Sequence, residues 1–244
     1  MPTIPSLEEM LKAGVHFGHQ AQRWHPKMEQ YIFAERGGIH IINLEETQKL
    51  LKEALEYIKG VVSRGGLVLF VGTKQQAQEA VSKEATRCGM PYVSERWLGG
   101  TLTNFSEIKK LIRRLRTLKE QQERGELKKY TKKEQLWLTR EIEDLEVKVG
   151  GIQNLERLPE AVFVLDMRGD KTAVLEAKTV NLPVIAVCDT NINPDNADFV
   201  IPANDDATKS LTLVSRLMAD AVIEGRKVFE TAKVQAAAAK ENKN

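Results

Sequence analysis

The residues best suited to chemistry in this 244-residue chain are a few carboxylates, two imidazoles and one lysine. His16 and His19 stand three apart, a spacing that brings two imidazoles to one metal ion if the stretch is helical. Phe17 and Gly18 argue against a helix there, and no other Cys or His cluster completes four ligands. Asp189, Asp205 and Asp206 could join from afar, and with His16 and His19 they make up the candidate set for a divalent cation. Asp166 and Asp189 each close an apolar run, where a carboxylate holds a cation, orients a base or caps the following loop. Gly72-Thr73-Lys74 has the end of a phosphate loop without its beginning. Leu67 stands where the first glycine belongs, and Gln75 where Ser or Thr would hold magnesium. There is no GxGxxG, no nucleophile elbow and no evident Ser-His-Asp arrangement, and His25 and His40 stand alone.

A second chemistry is the neutralisation of polyanions. Residues 109–133 hold eleven basic side chains: Lys109, Lys110, Arg113, Arg114, Arg116, Lys119, Arg124, Lys128, Lys129, Lys132 and Lys133. Three glutamates oppose them, Glu120, Glu123 and Glu126, leaving +8 in a chain whose net charge is +2. Such a segment attracts phosphates, because each one neutralised releases condensed counterions. The plainer reading is a solvated coiled-coil face, but those faces mix signs and this one does not. Arg23, Trp24, Lys27 and Arg36 near the N-terminus, and Arg96 and Trp97 before the basic segment, supply further contacts. The two tryptophans either stack on bases or pack locally.

The elements that must position these groups are legible in the apolar pattern. Phe105, Ile108, Leu111, Leu115 and Leu118 form one narrow stripe, and Leu138, Ile142, Leu145, Val149 and Ile152 form another. Each is the seam of a two-helix coiled coil, broken near Gly125, so residues 105–150 read as an antiparallel helical hairpin. Solid apolar runs at 67–71, 161–165 and 184–188, with shorter ones at 91–94 and 198–202, alternate with helical patterns. That alternation predicts an α/β fold, a doubly wound parallel sheet of about five strands, with the hairpin inserted. Ahead of it, Tyr31–Ala34 and Ile39–Leu44 predict a β-hairpin turning at 35–38. Ser6 and Glu9 form a capping box for a short helix that stops at Gly14. The expected organisation is a discontinuous body, 1–104 and 151–231, the hairpin at 105–150, and a flexible tail at 232–244.

Composition sets outer bounds. Hydrophobic residues at 42% and charged residues at 29% are those of a globular chain with an ordinary core. Cys88 and Cys188 form no CxxC pattern and read as buried hydrophobes in a reducing compartment. No run of 18 apolar residues predicts a membrane span, and the first residues lack the pattern of a signal peptide, so the cytoplasm is expected.

Several stretches together resemble the ribosomal protein S-two family of the bacterial small subunit. They are Gly14-Val15-His16-Phe17-Gly18-His19, Arg23-Trp24-His25-Pro26-Lys27, Phe70-Val71-Gly72-Thr73-Lys74-Gln75-Gln76-Ala77 and Arg96 to Phe105. Leu158 to Ala161, Pro183 to Ala186 and Ile201 to Ala207 complete the order. The resemblance spans about residues 5 to 229. It implies a structural constituent of the small ribosomal subunit rather than an enzyme. The protein would bind small-subunit ribosomal RNA and neighbouring ribosomal proteins, and support docking of the S-one protein and translation initiation. No cofactor is required, although the resemblance also implies a bound divalent cation. An enzyme or sensor at the carboxyl edge of the sheet is the competing reading. It rests on fold type, Lys74 and the aspartates alone.

Overall fold

The solid apolar runs become a parallel sheet because each is buried on both faces. The computed structural model describes residues 4–241. Its N-terminal part contains β1 (Phe17–Gln20), β2 (Ile32–Arg36) and β3 (Ile39–Ile42). The sheet proper contains β4 (Val68–Val71), β5 (Tyr92–Val93), β6 (Ala161–Val164), β7 (Val184–Cys188) and β8 (Phe199–Pro202). These five lie in the order β5-β4-β6-β7-β8, with every pairing parallel. The helices are α1 (Leu7–Ala13), α2 (Leu44–Ser63), α3 (Gln75–Cys88), α4 (Phe105–Glu123), α5 (Lys132–Val149), α6 (Lys171–Thr179) and α7 (Thr208–Glu241).

Alternate residues of the strands feed two separate cores. Val68, Phe70, Phe163, Ile185 and Ile201 face one core, with α2, α3 and α7. There the fully buried Phe70 and Phe163 rings meet edge to face, 5.3 Å apart. Leu69, Val71, Val162, Val164 and Ala186 face the other, with α6 and the root of the helical hairpin. The seam of α4 and α5 continues this second core outward, so the hairpin shares its apolar layer with the sheet.

Within α4 the buried positions are Ile108, Ile112, Leu115 and Leu118, while Phe105 and Leu111 are half-buried. The true seam therefore uses Ile112, which the expected stripe passed over. In α5 the buried residues are Leu138, Ile142, Leu145 and Val149, and Ile152 follows in a 3-10 turn. Thr131 and Glu134 form a capping box that starts α5. At its far end Gly151 passes close to β5, where an added Cβ would lie 2.2 Å from the Tyr92 carbonyl oxygen.

The N-terminal region differs from the simple hairpin the sequence predicts. β2 and β3 do pair antiparallel, turning at Gly37-Gly38, but β1 adds on the other side of β3 to make a three-stranded sheet. The stretch carrying His19 is thus extended, held by antiparallel pairing with the β-branched Ile39 and Ile41, while Gly18 permits the close approach to Thr190. The last helix runs well past Thr231, to Glu241. The tail predicted from 232 thus begins as helix, and 242–244 lie outside the described residues.

One carboxylate fixes the hairpin root. Glu176 of α6, 8% exposed, receives five hydrogen bonds from the segment leading into α4. Trp97 Nε1 (3.0 Å) and the Gly100 N–H (2.8 Å) donate to Oε1. The Leu102 N–H (3.0 Å), the Thr103 N–H (3.2 Å) and the Thr103 hydroxyl (3.1 Å) donate to Oε2. Burial works against the charge, but these donors hold the Glu176 pKa below its ordinary 4.5. Replacing Glu176 with Ala strands buried donors, at a cost of roughly 3 kcal/mol by the usual worth of hydrogen bonds to a charge. The expected result is a lower melting temperature and faster amide exchange over residues 97–104. Because the folded value is depressed, this stabilisation is present above pH 4.5 and is lost as pH falls through the folded value. Unchanged exchange in Glu176→Ala would show that the root is held by packing alone.

Candidate nucleic-acid interface and acidic centre

The carboxyl edge of the sheet gathers four of the five residues expected at a cation. Asp189 follows β7, Asp205 and Asp206 lie between β8 and α7, and Lys74 sits between β4 and α3. His19 arrives from β1. Gly18 lets it approach, since a Cβ there would lie 2.6 Å from Thr190 Cγ2, and the His19 N–H donates to Thr190 Oγ1 at 2.9 Å. His19 Nδ1 is then 3.0 Å from Asp189 Oδ2, and Nε2 is 3.5 Å from Asp206 Oδ2. Lys74 Nζ pairs with Asp205 Oδ1 (2.8 Å) and Asp206 Oδ1 (2.6 Å). His19, Asp205 and Asp206 each offer a ligand atom within 4.8 Å of the others.

The electrostatics show surplus negative charge. Burial, and then the Asp189 carboxylate, push Asp205 up to about 6 despite Lys74. The hydrogen bond to Asp189 raises the His19 pKa, against its partial burial. His16 does not join the centre. It lies ahead of β1, its ring stacks on Phe17 at 4.0 Å, and its shielded Nδ1 has no partner among the described residues. His16 lies in the turn that follows α1 while His19 lies in β1, so the two do not share a helical face. Asp166 is a cap, accepting from the Arg168 (2.8 Å) and Gly169 (3.0 Å) N–H groups. Asn204, not an aspartate, caps the turn into α7, accepting from the Asp206 and Ala207 N–H groups.

The hairpin divides its cations into paired and unpaired sets. Arg114 makes a two-pronged contact to Glu141 of α5 (2.8 and 3.0 Å), and Lys119 pairs with Glu146. Arg116 donates to the Gln153 carbonyl oxygen at 2.5 Å. These are struts across the hairpin. Lys110 pairs with Glu107 on its own helix, Lys109 lies over the Phe105 ring, and Lys129 reaches Glu126 at 3.8 Å. Arg113, Lys128, Lys132 and Lys133 are exposed and have no ion-pair partner among the described residues. The outer face of α5 is different. It exposes Leu136, Trp137 (63%) and Val147 beside Glu143 and Asp144.

Around the sheet, Arg23, Arg36 and Arg96 are exposed and without an ion pair among the described residues, while Lys27 pairs with Asp195. Trp24 is 37% exposed and meets the His40 ring edge-on at 5.3 Å. Trp97 packs locally, its indole N–H held by Glu176. The sequence reading missed Glu176, whose only signal was a glutamate among the apolar residues of a short helix. It also missed Arg168 and Lys171, which flank the start of α6 and belong to no run of charge.

A profile of the family described as ribosomal protein S2 matches residues 10–225, from α1 through most of α7. The chain belongs to the ribosomal protein S2 family. As a member it is a structural component of the small ribosomal subunit and of translation, associated with small-subunit ribosomal RNA and ribosomal proteins, and not an enzyme. The competing reading of the carboxyl edge as a catalytic site is therefore set aside. No helix among the described residues is long and apolar enough to cross a membrane.

Asp205 gives the centre a measurable pH signature. Its folded value of about 6 lies above the ordinary 3.8. The stability it contributes is present in full below pH 3.8 and is lost as pH rises through about 6. In chelator, wild type should therefore lose roughly 2–3 kcal/mol relative to Asp205→Asn between pH 4 and 7. Urea unfolding at a series of pH values measures this. Parallel curves for the two proteins would mean that Lys74 neutralises Asp205 fully.

Proposed function

We propose that the protein, in the cytoplasmic ribosome, grips ribosomal RNA with the unpaired cations of the hairpin and the N-terminal sheet. The observation that carries this reading is the set Arg113, Lys128, Lys132 and Lys133, exposed and uncompensated on a rigid projection. Phosphate contacts fix position and orientation without reading sequence, which suits a structural component. Lys109, Lys110 and Lys129 add charge nearby, and Arg23, Trp24, Lys27, Arg36 and Arg96 form the second grip. Arg114 and Arg116 act chiefly as struts, and Trp97 as a packed residue of the root.

The outer face of α5 is the proposed protein-facing side of the same hairpin. Exposed Leu136, Trp137 and Val147, with Glu143, Asp144 and Arg140 around them, make a mixed apolar and charged surface that suits a neighbouring ribosomal protein. This reading leaves room for the support of S-one docking and translation initiation that the resemblance implies.

Charge reversal at Arg113, Lys128, Lys132 and Lys133 should weaken RNA binding and flatten its salt dependence by about one unit of slope per lost phosphate contact. Reversal at Arg114 should instead lower hairpin stability. In crosslinked small subunits, residues 113–133 should attach to RNA and Trp137 to protein. Full RNA affinity after the fourfold reversal would remove the hairpin from the RNA interface.

The acidic centre is the proposed cation site. His19, Asp205 and Asp206, with Asp189 behind His19, supply one imidazole and oxygen ligands, a set that suits a divalent transition ion. Burial and then the Asp189 carboxylate raise Asp205, and a cation beside it would favour its ionised form, which supports this reading. Such an ion would join the N-terminal sheet to the main sheet. Zinc or manganese should raise the melting temperature of wild type, with the size of the shift following concentration. Asp205→Asn and His19→Ala should lose that shift. An equal shift in all three proteins would place the ion elsewhere.

A further inference from the structure

A cavity of about 510 Å³ opens beside the carboxyl ends of β6 and β7, and none of its lining residues belongs to the acidic centre. Three cations stand around it: Arg23 from the segment after β1, and Arg168 and Lys171 at the start of α6. None of the three has an ion-pair partner among the described residues, and no carboxylate lines the cavity. Asn191, Asn193 and Asn196 supply amides from the loop after β7. The side-chain oxygen of Asn191 is buried and has no hydrogen-bond partner among the described residues. Met167, Val174, Leu175 and Ile192 form an apolar floor, and Leu175 is 52% exposed.

We propose that this cavity is a nucleotide pocket that takes one unpaired nucleotide of ribosomal RNA. The cations would hold phosphate, the apolar floor would carry the base, and the asparagines would meet its polar edge. Cations without counter-charge around a concavity focus potential for an anion. Amides suit base edges, since each offers a donor and an acceptor. The same chemistry fits a free nucleotide, but the construction favours a polymer. The cations are exposed at the rim, whereas a site for a free small molecule encloses most of its ligand. Unstacked single-stranded nucleotides are also what proteins read most readily in RNA. The inference rests on the RNA-binding reading above and adds a contact 167–196 that the hairpin does not supply.

The test is ultraviolet crosslinking of the full-length protein to small-subunit RNA, followed by mass spectrometry, with affinity measured in parallel. Nucleotide adducts should appear in peptides covering 167–175 or 191–196. The double variant Arg168→Gln, Lys171→Gln should lose these adducts and bind about tenfold more weakly. Leu175→Trp, which fills the cavity without altering charge, should also lose them while keeping the wild-type melting temperature. Adducts on the hairpin alone, with unchanged affinity in both variants, would overturn the pocket and leave the RNA reading intact. Adducts nowhere would remove both. A thermal shift with adenosine or uridine monophosphate that the double variant abolishes, in the absence of any pocket adduct, would assign the cavity to a free nucleotide and overturn its assignment to RNA.

Discussion

The geometry of the projecting hairpin depends on one buried carboxylate. Glu176 gathers five donors from a stretch of seven residues, and so converts a loop with two adjacent glycines into a fixed root. A hairpin without it would still have an apolar seam, but its angle to the sheet would rest on packing alone. Direction matters here more than stability. A row of cations on a lever is useful only if the lever points the same way in every molecule, and phosphate contacts carry no sequence information to correct it.

The same economy of charge separates the surfaces. Arg114, Arg116 and Lys119 on α4 are tied to carboxylates or a carbonyl, while Arg113 and, beyond the turn, Lys128, Lys132 and Lys133 are left open. At the carboxyl edge of the sheet the balance is reversed. Lys74 and His19 stand among three aspartates, and negative charge is in excess. The basic projection is already a run in the sequence, whereas the acidic centre and the basic cavity are gathered by the fold from residues far apart in the chain. The near-zero net charge of the whole hides all three.

The parallel sheet and the helical hairpin were legible because continuous apolar runs and a sustained seam are strong signals. The capping of α1 by Ser6 and Glu9 follows from a local rule that tertiary contacts did not override, whereas the strand order β5-β4-β6-β7-β8 is set by tertiary packing and had no sequence signal. Details failed where two local patterns were equally good. Leu111 and Ile112 are adjacent and both apolar, so spacing alone could not choose the seam residue. His16 and His19 make a pair only on helical geometry, and here His16 lies in a turn while His19 lies in β1. The acidic centre was partly visible, since its aspartates follow strand ends, but Lys74 as their partner was not. Glu176, Arg168 and Lys171 were invisible because each draws its meaning from residues distant in the chain.

The attachment of β1 has a consequence for the order of events during synthesis. The His19 N–H bonds to Thr190, 171 residues later, and the Asn204 side chain donates to the Gly14 carbonyl oxygen, 190 residues earlier. At about 5–20 residues per second, the N-terminal segment leaves the translating ribosome on the order of ten seconds or more before its anchors exist. Until then Arg23, Trp24 and Arg36 have no fixed orientation relative to the sheet. The proposed second grip is thus formed last, although its residues are made first, and an unfinished chain would not present both proposed grips together.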